Sequence, residues 1–432
     1  MPLEPMTEQN TYDTIVVGAG PAGSTTAALL AEMGRRVLVL EKCHFPRYHI
    51  GESLMPFCYF SLERLGLIDQ MAEHQFVNKH SVQFVNPDGK QSRPFYFFQH
   101  YDHPSSQTWQ VERAQFDTMI LDRARQNGAV VREGTKVKNV LRDEATGAVI
   151  GVVAEDDEGI ETEFHAPITV DATGRDALVA AKSGWRQRDP MLKKIAIWTY
   201  YRGTKRDPGL DAGSTTVAYL PGKGWFWYIP LQGDIVSVGV VAEREYLYRD
   251  GRDPGTIMER ESHENKWIED HLAEGEQFGE YWTTGEYSYR SEYCADDGVV
   301  LVGDAFAFLD PVFSSGVFLA LKSGVMAADT IDAALADGDF RASRFDDYGR
   351  KLCEGLEAMR KIVYAFYDEN FSFADVIRKY PHLRADLTDC LIGDVDKDLS
   401  ELFGAVAEFA EIPSELDYGR EGRRATAPEA VA

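Results

Sequence analysis

The stretch "DTIVVGAGPAG", residues 13–23, constrains this chain more than any other. A short apolar run stops at a glycine, and Gly18, Gly20 and Gly23 complete the pattern G-x-G-x-x-G. Ala22 to Met33 then predicts a helix, and Arg36 to Leu40 a second apolar strand ending at Glu41. Strands this continuously apolar belong to a parallel sheet buried on both faces, so the segment reads as a βαβ unit. Alone, the glycine pattern is weak, because glycine turns recur by chance. Between a strand and a helix it has a physical meaning. Gly18 turns tightly, Gly20 lets the backbone approach a pyrophosphate, and Ala22 and Gly23 open a helix whose N-terminus faces that charge. Glu41, 23 positions after Gly18, is placed to hold a ribose hydroxyl pair, with Lys42 beside it. The competing reading is an ordinary βα turn with a chance glutamate.

The remaining pattern predicts an α/β (α+β) architecture. A helix over 112–127 is followed by three alternating stretches, 135–142, 149–155 and 160–165, which read as an antiparallel meander laid over the sheet. Short aromatic strands at 195–202, 215–220, 225–230 and 235–242 suggest the sheet of a second, substrate-facing domain. The chain returns to the first domain at 298–304 and is helical from 315 onward. The expected layout is therefore a discontinuous Rossmann-like cofactor domain (10–190 and 290–340), a β-sheet domain (191–289), a C-terminal helical region (341–415) and a loosely ordered tail (416–432).

With 432 residues there is room for such an interior, and a net charge of −25 argues against nucleic acid or an anionic membrane as partner. No apolar run approaches the roughly 20 residues of a spanning helix, and "MPLEPMTEQN" lacks the apolar stretch of a signal peptide. Cys43, Cys58, Cys294, Cys353 and Cys390 are scattered and odd in number, which suggests neither disulfides nor a metal site, and a reducing cytoplasm as the compartment.

Two further strand ends, Asp171-Ala172-Thr173-Gly174 and Gly303-Asp304, point to FAD rather than NAD. Over roughly residues 12–375 these returns resemble the flavoprotein monooxygenase superfamily, in which the Gly-Asp pair meets the ribityl chain. The resemblance implies flavin contacts by Asp304, by Arg113 at the start of the 112–127 helix, and by Arg47 in "FPRYHIGESL"; either arginine has an alternative reading as a surface residue. A second G-x-G-x-x-G is missing, so electrons are expected from a separate flavin reductase.

Within that superfamily one branch matches three times. Trp225-Phe226-Trp227-Tyr228-Ile229-Pro230 fits W-x-W-x-I-P, and Phe308 to Gly316 fits F-x-x-P-x-x-S-x-G, both typical of flavin-dependent halogenases. Lys79 follows "GESLMP" at the interval where that family carries its active-site lysine. Each has a bland counterpart, namely core tryptophans, a helix start and a solvated lysine. The resemblance implies an FAD-dependent oxidoreductase that uses oxygen and chloride or bromide. Ser315 and Gly316 would bring backbone N–H groups to the halide, with Pro311 stiffening the loop. Hypohalous acid would reach Lys79, held there by hydrogen bond or as a haloamine, and halogenate an electron-rich ring. Trp225, Trp227, Ile229 and Pro230 would separate substrate from flavin.

Tryptophan halogenases carry a glutamate just before the motif serine, where this chain has Phe313. "DPVFSSGV" is more similar to the phenol- and pyrrole-type halogenases of natural-product pathways, such as those of chloramphenicol and chondrochloren biosynthesis. Several of those act on carrier-protein-tethered substrates. Residues 186–206, seven basic to one acidic, suggest a patch to dock an acidic carrier, or merely solvated strand ends. Rival readings are an aromatic hydroxylase, a geranylgeranyl-reductase-like enzyme and a flavin-binding sensor.

Overall fold

The computed structural model describes residues 10–424 other than 100, 223, 286–287 and 370. Thr14–Val17, Pro21–Glu32 and Val37–Leu40 form the expected βαβ unit. Val37–Leu40, Thr14–Val17, Ile168–Asp171 and Val299–Leu301 lie side by side in parallel at the centre of a six-stranded sheet. Its two faces divide by alternation. Ile15, Val17, Leu38 and Leu40 pack under the meander 136–165, against Val137, Val152 and Phe164. Val16, Val37 and Val39 pack under helices Pro21–Glu32, Arg113–Gln126 and Ser315–Asp337.

A second, seven-stranded sheet runs in the order Glu276–Thr284, Lys194–Arg202, Ile235–Glu243, Gly224–Leu231, Thr215–Leu220, Ser81–Val85, Phe95–Tyr96. Three of these strands were not expected. Ser81–Val85 and Phe95–Tyr96 come from a stretch assigned by sequence to the cofactor domain, and Ser81–Val85 pairs in parallel with Thr215–Leu220. Phe226 and Tyr228 face a core closed by Ile257, Met258 and Trp267. Trp225, Trp227 and Ile229, on the opposite face, meet Val312, Val363 and Phe366.

Residues 416–424, expected as a loose tail, are instead hydrogen-bonded into the body. Gly419 N–H donates to Glu292 O, Cys294 N–H to Glu421 O, and Arg290 Nη2 to Leu416 O. Residues 425–432 lie outside the described ones. Among the described residues no helix is long and apolar enough to cross a membrane.

The glycines of the turn have separate steric duties. Gly18, at φ +102°, sits where a Cβ would lie 2.3 Å from Ala172 O, and a Cβ on Gly23 would lie 2.0 Å from Gly18 O. A Cβ on Gly20 would meet only the Arg47 guanidinium, at 3.6 Å. Gly23→Ala should therefore destabilise the protein in urea unfolding by about 1–3 kcal/mol or more. Gly20→Ala should leave the cofactor-free protein within about 0.5 kcal/mol of wild type.

Candidate active site

At the nucleotide end, Glu41 is buried at its strand terminus, where Oε2 accepts from Ala19 N–H (2.8 Å) and Oε1 from Cys43 N–H (2.9 Å). The carboxylate thus braces the glycine turn. Beside Gly20, Arg47 has a buried Nη1 that makes no hydrogen bond within the protein; its nearest charge is Asp117, at 3.2 Å. A half-buried guanidinium with one nitrogen left without a hydrogen bond, next to a helix N-terminus, fits a pyrophosphate. Asp171 closes the "DATG" turn by accepting from Thr173 N–H and Val179 N–H. The partly buried Asp304 carboxylate accepts no hydrogen bond among the described residues. Burial pushes it up to about 6, against Arg113 and Arg175, so it suits a polyol that donates hydrogen bonds.

Two of the predicted cofactor residues are engaged by protein partners. Arg113 grips Asp117 with Nε and Nη2, and its Nη1 donates to Ile50 O and Gly51 O. It holds the 50–51 backbone in place. Lys42 is half-exposed and paired with Asp176.

Lys79 ends a short strand, Val77–Lys79, paired with Thr108–Gln110. The residue is only 2% exposed, and its Nζ donates to Ser53 Oγ (2.8 Å) and Leu54 O (3.1 Å). Ser53 Oγ also lies 2.8 Å from Thr215 Oγ1, itself an acceptor from Gln110 Nε2. Among the described residues no carboxylate pairs with the amine. Burial accordingly lowers it from 10.5 to about 7, with a weak opposing pull from Cys58. Near neutral pH much of Lys79 is a free amine, which is a nucleophile.

The amine opens into a cavity of about 1120 Å³, lined by Phe84, Thr215, Tyr219, Phe313 and Phe366 among others. Val312 and Ser314 bring the loop of Pro311 to the same wall. Ser314, at φ 58°, turns the chain into helix Ser315–Asp337. Asp310, fully buried, caps the turn by accepting from Val312 N–H and is held by Tyr367 Oη at 2.8 Å. Tyr367 in turn accepts from Trp225 Nε1, also at 2.8 Å. Trp225 thus fixes the loop through two hydrogen bonds. Trp227 donates to Ser237 Oγ, and Gly239 leaves room for its ring, since a Cβ there would lie 2.2 Å from the indole. Trp225 and Trp227 stand behind the cavity wall rather than lining it. Ile229 and Pro230 continue the same buried strand. Around Gly316 a Cβ would meet nothing within 4 Å.

Sequence reasoning missed Glu52, Ser53, Thr215 and Tyr200. Glu52 is 3% exposed; Tyr200 donates to its Oε1 at 2.5 Å, while Oε2 is buried without a partner. Burial pushes this carboxyl up to about 7, against hydrogen bonds from Tyr200 and Ser237. The fold also disperses the basic run 186–206. Lys194 is buried on Glu243, Lys205 pairs with Asp270, and Arg206 donates to Leu231 O and Ile235 O. It forms no patch.

The sequence matches the family described as tryptophan halogenase over residues 13–108 and 99–373. It is 33% identical to the 1H-pyrrole-2-carbonyl-[peptidyl-carrier protein] brominase of Pseudoalteromonas luteoviolacea, covering 78% of this chain and 81% of that one. With the corresponding chlorinase of Pseudomonas fluorescens it shares 30% identity over 89% of each. Among solved structures, the flavin-dependent brominase Bmp2 superposes with a TM-score of 0.83 at 29% identity, over 92% of this chain and 97% of that one. The myxobacterial chondrochloren halogenase CndH gives 0.79 at 31%, over 93% and 96%.

The lysine's burial has a measurable signature. Below about pH 7 the folded and unfolded chains both carry the ammonium, and the folded one bears the full desolvation penalty. Between about 7 and 10.5 only the unfolded chain is charged, so the penalty fades as pH rises. Lys79→Met should therefore be most favoured over wild type at pH 7 and below in urea titrations, losing that advantage toward pH 10. A difference independent of pH would mean that Lys79 is solvated.

Proposed function

The chain belongs to the tryptophan halogenase family of flavin-dependent halogenases, and from that premise we propose that it chlorinates or brominates a pyrrole- or phenol-type ring delivered as a carrier-protein thioester. The observation that carries this reading is the buried Lys79 amine, lowered to about 7 and lining an aromatic cavity. When bound, FAD reduced by a separate reductase supplies the oxygen activation that converts halide to hypohalous acid. Gly18, Gly20, Gly23, Ala22, Glu41 and Arg47 bind its nucleotide part, and Asp304 its polyol. The N–H groups of Ser315 and Gly316 receive the halide at the start of the long helix.

Lys79 then attacks the halogen of hypohalous acid. The N–X bond forms as the O–X bond breaks, and water leaves with the amine proton. Ser53 Oγ and Leu54 O orient the amine for this step by accepting its hydrogens. The ring carbon next takes the halogen, and the ring proton returns the amine to its starting state. Phe313, set edge-on to Phe366 (5.8 Å, 81°) and Phe373 (6.2 Å, 76°), makes the cavity apolar where a tryptophan halogenase carries glutamate. Pyrrole and phenol are activated by their own heteroatoms and need no such carboxylate. Trp225 and Trp227, behind the cavity wall, back the partition that keeps the ring from the flavin. The domain limits 10–190 with 290–340, 191–289 and 341–415 describe this division of labour, with residues 81–96 joining the substrate sheet. Five cysteines, all unpaired, suit a reducing cytoplasm.

The test is mass spectrometry of a pyrrole-2-carbonyl carrier protein and of a phenolic probe after incubation with FAD, a flavin reductase, oxygen and bromide. A bromine isotope pattern is expected, whereas a gain of one oxygen would identify a hydroxylase. Lys79→Ala should lower halogenation about a thousandfold or more, because delivery and orientation of the electrophile are lost together. FAD binding and oxidation of the reduced flavin should persist. Retained halogenation by this variant would refute the mechanism.

A further inference from the structure

The cavity is larger than one ring requires, since pockets for whole drug-sized ligands run roughly 300–1,000 Å³, and this one has about 1120 Å³. Its rim has a sign of charge that the rest of the chain does not. Lys90 and Arg93, on the hairpin between strands Ser81–Val85 and Phe95–Tyr96, and Arg384, opening helix Arg384–Ile392, all line it and are exposed. Among the described residues none of these three side chains makes an ion pair or hydrogen bond. Of the acidic side chains on the same lining, Glu243 is engaged by Lys194 and Asp368 accepts from Glu411 N–H, which leaves Glu369. In a chain of net charge −25, basic side chains ordinarily have carboxylates to pair with. Three left unpaired around one opening are matched to an anion from outside.

We propose that Lys90, Arg93 and Arg384 form the docking rim for an acidic carrier protein. The phosphodiester at the root of the carrier's prosthetic arm and the acidic surface around it meet these three cations. The arm occupies the outer cavity and the acyl ring reaches Lys79. This inference rests on the carrier-bound reading above. It replaces the 186–206 run, which the fold pulls apart, with residues from two segments that converge at the entrance.

The experiment uses the FAD-loaded full-length chain and its variant Lys90→Glu/Arg93→Glu/Arg384→Glu. Binding of a net-acidic carrier protein loaded with pyrrole-2-carbonyl is measured by calorimetry at low and high salt. Halogenation is measured separately on that carrier and on a free phenol. The variant should bind the carrier at least about tenfold more weakly and lose the salt dependence seen in wild type, because rim charges act through screened attraction. KM for the carrier substrate should rise likewise, while turnover of the free phenol and FAD content stay at wild-type levels. The neutral variant Lys90→Gln/Arg93→Gln/Arg384→Gln should fall between. Equal carrier affinity in wild type and variant would overturn the proposal, as would a wild type that halogenates the phenol but does not bind the carrier. A wild type that binds the carrier in a salt- and rim-dependent way yet halogenates nothing would support the docking rim and defeat the reaction proposed above.

Discussion

Five consecutive residues, Ile50 to Leu54, join the two halves of the molecule, and the burial of a lysine amine depends on them. Arg113, anchored to Asp117 on its own helix, donates to the carbonyls of Ile50 and Gly51. Tyr200 of the large sheet donates to Glu52, and Lys79 to Ser53 Oγ and Leu54 O. A charged ammonium here would lie among neutral acceptors and away from water, which is costly without a counter-ion. The surroundings therefore select the free amine, and the same desolvation that weakens the fold near neutral pH makes the group a nucleophile. Stability is traded for chemistry at one atom.

The long helix Ser315–Asp337 links this centre to the cofactor half. Along its length it packs on helix Pro21–Glu32, where Thr26 Oγ1 donates to Gly324 O and Gly303 N–H donates to Ser323 Oγ. At its start, the chain from Trp225 through Tyr367 to Asp310 holds the entering loop. The two halogenase motifs are thus mechanically one device: the tryptophan of the sheet fixes the loop that presents Ser315 and Gly316. Gly51 lies beside the same helix start, with a Cβ there 3.8 Å from Val317 Cγ2. The proposed halide site and the lysine are held by adjoining pieces of backbone.

Much of this was legible from residue pattern alone. The βαβ unit, the meander and strands 215–243 carry strong periodicity, and their boundaries differ from expectation by a residue or so. The pairing of Ser81–Val85 with Thr215–Leu220 was not legible, because its partners are more than a hundred residues apart and its strand is short and half polar. Glu52 was quoted only as part of "GESL"; its hydrogen-bond partner Tyr200 lies 148 positions away. The basic run 186–206 misled for a geometric reason. Strand Lys194–Arg202 is nine residues long and carries its ends roughly 25 Å apart. Charges that are neighbours in sequence face different partners in space, whereas Lys90, Arg93 and Arg384, far apart in sequence, share an entrance.

Everything functional in this account turns on the protonation state of Lys79. Reductive methylation with ¹³C-labelled formaldehyde, followed by carbon NMR over pH 5 to 11, reads each lysine's titration, and the spectrum of Lys79→Met assigns the resonance in question. The account predicts one amine titrating near pH 7, well apart from the solvated lysines near 10.4. A Lys79 resonance that titrates with the others would contradict it, since a permanently charged ammonium cannot accept the halogen.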